Sequence, residues 1–74
     1  MKASRLLANW QRRIGDTYTD AKGQTGVLRD VYFRPRRGAG ADWGVYLTLE
    51  NEHGQWTARP AFVTCVAREE GRAL

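Results

Sequence analysis

One cysteine, Cys65, stands among the 74 residues, so no disulfide can close within the chain. One histidine, His53, accompanies it, and a Cys/His zinc site cannot be built from that pair. No apolar run approaches the ~18 residues of a membrane span. Near the start, Lys2 and Arg5 precede apolar residues, but Asn9, Gln11, Arg12 and Arg13 interrupt them. That is not the pattern of a signal peptide, and a reducing cytoplasm is the expected compartment. No P-loop, serine triad or metal-ligand cluster is present. The glycines Gly38, Gly40 and Gly44 do not have dinucleotide-fingerprint spacing, and no helix pattern follows them. Asp16, Asp20, Asp30 and Asp42 are scattered, so no carboxylate pair emerges. These absences lead us to expect no catalytic residue, no metal, no cofactor and no membrane partner.

What is present is basic and aromatic. Twelve basic residues against eight acidic give a net charge of +4, and ten of the twelve are arginine. Arginine suits bidentate phosphate and carboxylate contacts and stacks on planar groups. Three Trp, three Tyr and two Phe supply large apolar areas to a small core. A chain of this length buries only about 60% of the surface it exposes when unfolded. One domain over residues 1–74 is expected.

Residues 4–14 read as a helix with Ser4 at its N-cap and Gly15 after its end. Ala3, Leu7, Trp10 and Ile14 form one apolar stripe, which is expected to dock on the rest of the domain. From Asp16 the pattern turns to strands. Residues 17–19 are followed by an Asp20-Ala21-Lys22-Gly23 turn and a long strand over 25–33. The apolar phase of that strand is mixed: Val27, Val31 and Phe33 share one parity, Leu28 and Tyr32 the other. A bent strand whose two faces are buried in turn would read this way. A proline- and glycine-containing loop spans 34–42. Residues 43–50 alternate cleanly, a hairpin turn falls at Asn51-Glu52-His53-Gly54, and a return strand covers 55–59. Pro60 interrupts it, residues 62–66 form a last strand, and 68–74 a frayed tail. The expected fold is mainly β: a small SH3-like barrel of about five strands over 16–67 with one N-terminal α-helix, an OB-like barrel being the alternative.

The stretch Lys22-Gly23-Gln24-Thr25-Gly26-Val27-Leu28-Arg29-Asp30-Val31, preceded by Gly15-Asp16, resembles the core of a KOW motif. In that motif Lys-Gly is followed three residues on by a glycine, then by apolar residues two and five further; Gly23, Gly26, Leu28 and Val31 fill those places. The resemblance covers residues 15–31. It implies an SH3-like barrel that contacts RNA or protein, as in ribosomal proteins and transcription elongation factors. The second half of the chain is also similar to the small barrels of type II dihydrofolate reductases. It lacks their Val-Gln-Ile-Tyr segment, which removes that activity as an expectation.

The candidate binding residues are Arg34, Arg36 and Arg37 on the loop and Arg5, Arg12 and Arg13 on the helix, together able to form a basic face for phosphates. Tyr46 and Tyr32 are candidates for stacking on bases, Tyr46 the more exposed of the aromatics. Trp10, Trp43 and Trp56 are expected in the core, Cys65 as a packed core thiol, and His53 at an exposed turn. The expected function is non-catalytic binding of nucleic acid, RNA or DNA. The alternative is a protein-interaction or regulatory accessory module, for instance of a bacterial mobile element, with an acidic partner or a second copy in a homodimer.

Overall fold

A computed structural model of the chain describes residues 2–34 and 44–69. It is mainly β, with five antiparallel strands in one sheet and one short helix. The helix α1 (Lys2–Gln11) lays Trp10 into the core, with Leu6, Leu7 and Ile14 packed half-buried beside it. α1 begins at Lys2, so Ser4 falls inside it and not at the position before its start. The α-helix also ends sooner than Ile14. Tighter bonds take over, from Arg13 N–H to Trp10 O and from Asp16 N–H to Arg13 O, and Gly15 at φ 107° completes the turn into the sheet.

The strands are β1 (Thr17–Thr19), β2 (Thr25–Phe33), β3 (Val45–Asn51), β4 (Gly54–Ala58) and β5 (Thr64–Ala67), in the sheet order β4-β3-β2-β1-β5. A 3₁₀ turn, Pro60–Phe62, joins β4 to β5. The final strand is therefore shorter than residues 62–66 suggested and begins later, because Pro60 starts a turn that takes Phe62 with it.

The mixed phase of β2 has a local cause. Leu28 pairs with Leu49 but Asp30 pairs with Thr48, so Arg29 is an extra residue in the ladder. The bulge shifts the phase by one residue. It puts Leu28 and Val31 on the same face as Leu47 and Leu49, so one face of β2 is buried from Gly26 to Val31, not two in turn. The core consists of Trp10, Tyr18, Leu28, Val31, Val45, Leu47, Leu49 and Ala58.

Trp56 is half-buried, not enclosed as expected, since β4 is an edge strand. Its Nε1 donates to Asp20 Oδ2 at 2.9 Å. Asp20 Oδ1 also accepts the N–H groups of Lys22 and Gln24, which fixes the turn after β1. A flat sheet would hold β4 and β1 about 14 Å apart, three spacings of ~4.8 Å. The two side chains span most of that distance, so the Trp56–Asp20 bond ties the turn after β1 to the edge strand β4. Gly26 permits the approach, because a Cβ there would meet Trp56 Cη2 at 2.7 Å and Glu50 O at 2.8 Å.

Cys65 is exposed, which corrects the expectation of a core thiol. All four residues of β5 are exposed because β5 is the other edge of the sheet. The chain after β5 is tied back by Asp16, fully buried, whose Oδ1 accepts the Glu69 N–H at 2.8 Å. Trp43 lies outside the described residues.

Tyr18 yields a pH prediction. It is 3% exposed and packs on Trp10 with ring centroids 5.4 Å apart. Burial raises its phenol above the ordinary value of 10.0; Cys65 and Asp16 add to the rise and Arg13 opposes it. A proton held more tightly in the folded state contributes stability that is complete below the unfolded value and is lost as pH rises through the folded one. Urea midpoints should therefore fall as pH climbs above 10.0, and Tyr18→Phe should flatten that alkaline limb. An identical decline in both proteins would refute the assignment.

Candidate nucleic-acid interface

The sheet has a second face. Tyr32 on β2 and Tyr46 on β3 are directly paired, and both alternate with core residues, so their side chains leave the sheet opposite Val31, Val45 and Leu47. Their rings stack with centroids 5.5 Å apart and planes 13° from parallel. Arg59 completes the group. Pro60 ends β4, Arg59 remains extended at φ −115° and ψ 143°, and its Nε donates to Val45 O at 3.2 Å. Its guanidinium carbon lies 4.3 Å from the Tyr46 ring centroid. The result is a column in the order Arg59, Tyr46, Tyr32, standing across three strands. A stacked aromatic pair contributes roughly 0.5–1.5 kcal/mol beyond burial, and an exposed cation–π contact about 0.5–1 kcal/mol.

Tyr46 is thus half-buried, with Tyr32 and Arg59 against its ring. Of the pair, Tyr32 is the one at the end of the column. Both rings are half-buried, and Tyr46 has a neighbour on each side where Tyr32 has Tyr46.

The column stands at the foot of the β2–β3 connection. Arg34, exposed, donates its N–H to Gly44 O at 2.7 Å and closes the stem of that connection. Phe33 lies over Gly44, where a Cβ would also meet Arg34 O at 2.9 Å. Arg36 and Arg37 belong to the connection and lie outside the described residues. The remainder of this face is mostly polar, with Val27 opposite Glu50 the apolar exception. Thr48 pairs with Thr57 and Glu50 with Gln55, while Arg29 Nε meets Glu50 Oε1 at 2.8 Å. That ion pair is exposed and contributes little.

The arginines of the helix are placed differently. Arg5 and Arg12 are exposed, and the Arg13 guanidinium lies 4.8 Å from the Trp10 ring centroid. Because Trp10 carries α1 onto the core face, these three start from the side of the sheet opposite the tyrosine pair. The structure therefore brings Tyr32, Tyr46, Arg59 and the Arg34 stem together and leaves the helix arginines apart.

Arg59 was not among the sequence candidates. The signal available was its place directly before Pro60, at the end of a strand. A further groove of about 360 Å³ lies on the other side of β4, lined by Asp20, Lys22, Gln24, Trp56, Arg59 and Phe62 among others. His53 is exposed in the β3–β4 turn, its N–H donating to Asn51 Oδ1. Among the described residues there is no cluster of three or more potential metal ligands, and no helix long and apolar enough to cross a membrane. No protein-family model, curated protein or solved structure matches the chain.

Proposed function

We propose that this chain is a small non-catalytic binding module, an SH3-like barrel that holds nucleic acid through phosphate contacts from Arg34, Arg36 and Arg37. The observation that carries the reading is the Arg59–Tyr46–Tyr32 column at the foot of the loop bearing those arginines. Cations beside ordered aromatic rings match both parts of a nucleotide, its phosphate and its base. Arg5, Arg12 and Arg13 contribute a second, weaker basic surface.

Three features support the barrel: β5 returns to pair with β1, a 3₁₀ turn precedes it, and the Trp56–Asp20 bond joins the turn after β1 to the edge strand β4. The KOW-like resemblance agrees with the same fold. Its residues also have structural duties here, with Gly26 beneath Trp56 and Leu28 and Val31 in the core. A reducing cytoplasm is the compartment that suits an exposed cysteine.

The test is an anisotropy titration of labelled RNA and DNA at two salt concentrations. Roughly four to six phosphate contacts give a log–log slope of about −4 to −5 on duplex, at ~0.9 per phosphate, and a shallower one on a single strand. Absence of binding to any polymer at low salt would sink the reading. A second reading, pairing of the chain with its own copy, is favoured by β5. That edge strand carries no charge or proline, and Val66 within it and Phe62 in the turn before it are each 55% exposed. A dimer by light scattering together with no polymer binding would select it.

A further inference from the structure

We infer that the nucleic acid held at this site is single-stranded, with one unpaired base stacked on Tyr32. The inference rests on the reading above and adds the state of the polymer to it. Arginine contacts to phosphate do not distinguish one strand from two. A column of stacked planar groups does. Tyr46 is covered by Arg59 on one side and by Tyr32 on the other, so Tyr32 is the aromatic ring at the end of the column.

The register leaves a place for a further planar group. On the side of β2 away from β3, β1 pairs only with Thr25, Gly26 and Val27, and the backbone bonds of Gly15 and Asp16 to Leu28 close that ladder. Four residues further along, at Tyr32, no described strand continues the sheet on that side. The column therefore ends where the ladder has already ended. A nucleobase is a planar group of the size that extends such a stack. A base inside a duplex has both faces covered and its edge paired, so it reaches Tyr32 only by leaving the helix, which costs a few kcal/mol. A base in a single strand does not bear that cost. Arg59 acts as a positioning residue: it clamps Tyr46 and so holds the ring on which Tyr32 rests. The phosphate beside the stacked base then falls to Arg34, exposed at the stem of the connection that follows β2.

The experiment uses the full chain with one mixed-sequence oligonucleotide, presented as single-stranded RNA, as single-stranded DNA and as duplex DNA. Wild type, Tyr32→Leu and Tyr32→Phe are titrated at two salt concentrations, with circular dichroism confirming that each variant is folded. We expect both single strands to bind more tightly than the duplex. Tyr32→Leu should weaken single-strand binding on the order of tenfold, leave duplex binding and the salt slope unchanged, and Tyr32→Phe should retain wild-type affinity. Equal affinity for duplex and single strand, or a Tyr32→Leu variant that binds single strands as wild type does, overturns the inference and leaves the phosphate reading standing. Single-strand binding that depends on Tyr32 but has no salt slope removes the phosphate reading and keeps the stacked base. A ribose preference would show as a difference between the two single strands, and either polymer satisfies the inference.

Discussion

Leu47→Ala should lower the unfolding free energy by about 2–5 kcal/mol, the range for truncating a buried leucine. At roughly 0.05–0.15 kcal/mol per residue, a domain of this length has about 4–11 kcal/mol in total, so one substitution removes a large share. Leu47 is fully buried and central. It pairs with Val31 on one side and Ala58 on the other, in a strand that has neighbours on both edges. The surrounding backbone is locked in two ladders, so the cavity has little freedom to collapse. Each kcal/mol shifts Tm by about 4–8 °C in a domain of this size, which puts the expected drop above roughly 8 °C. Two controls separate cavity formation from a general effect of mutation. Leu47→Met nearly conserves volume and should cost under ~1.5 kcal/mol. Thr48→Ala, on the outer face, should stay within about 0.5 kcal/mol. A urea melt of the three variants decides the matter, and a Leu47→Ala cost no larger than that of Thr48→Ala would show that the core is misplaced.

Strand β3 was legible because its alternation is local. Val45, Leu47 and Leu49 share one parity, and pleating alone sends them to one face. β2 was legible as a strand but not in its geometry, because a bulge at Arg29 and a bend produce the same break in parity. Only the partner strand reveals which residue is extra. Edge position was not legible at all. Thr64-Cys65-Val66-Ala67 has the composition of a buried strand, and it is exposed because of where β5 falls in the sheet order. The same is true of Trp56, whose bond to Asp20 joins residues 36 apart in sequence. At the candidate site the two tyrosines could be nominated from type and parity. Their stacking depended on a register set by the length of the β2–β3 connection, and the clamp by Arg59 depended on where Pro60 turns the chain. Local pattern thus recovers elements and faces, while pairing recovers the chemistry.

Arg36→Ala combined with Arg37→Ala should have the largest effect on binding, and its signature is its salt dependence. Each arginine that neutralises a phosphate releases condensed counterions, about 0.9 per contact on duplex and ~0.7 on a single strand. Removing two contacts therefore reduces the magnitude of the log–log slope by roughly 1.4–1.8. Over a fourfold rise from about 50 to 200 mM salt, the affinity gap between wild type and variant should shrink about tenfold, because the contacts that wild type alone retains are the ones salt weakens. The loss should be uniform across sequences, since phosphates carry no base identity. Lysine replacements sharpen the test. Arg36→Lys with Arg37→Lys keeps both charges and so keeps the slope, while it forfeits the planar fork that bonds a phosphate at two points. Affinity should then fall at every salt concentration by a constant factor. The alanine pair and the lysine pair thus separate charge from geometry in the same loop. Loss confined to one sequence would mean that these arginines read base edges; an unchanged slope in the alanine pair would mean that they do not touch the phosphate backbone, and that the stem at Arg34 and the column beside it bind something else.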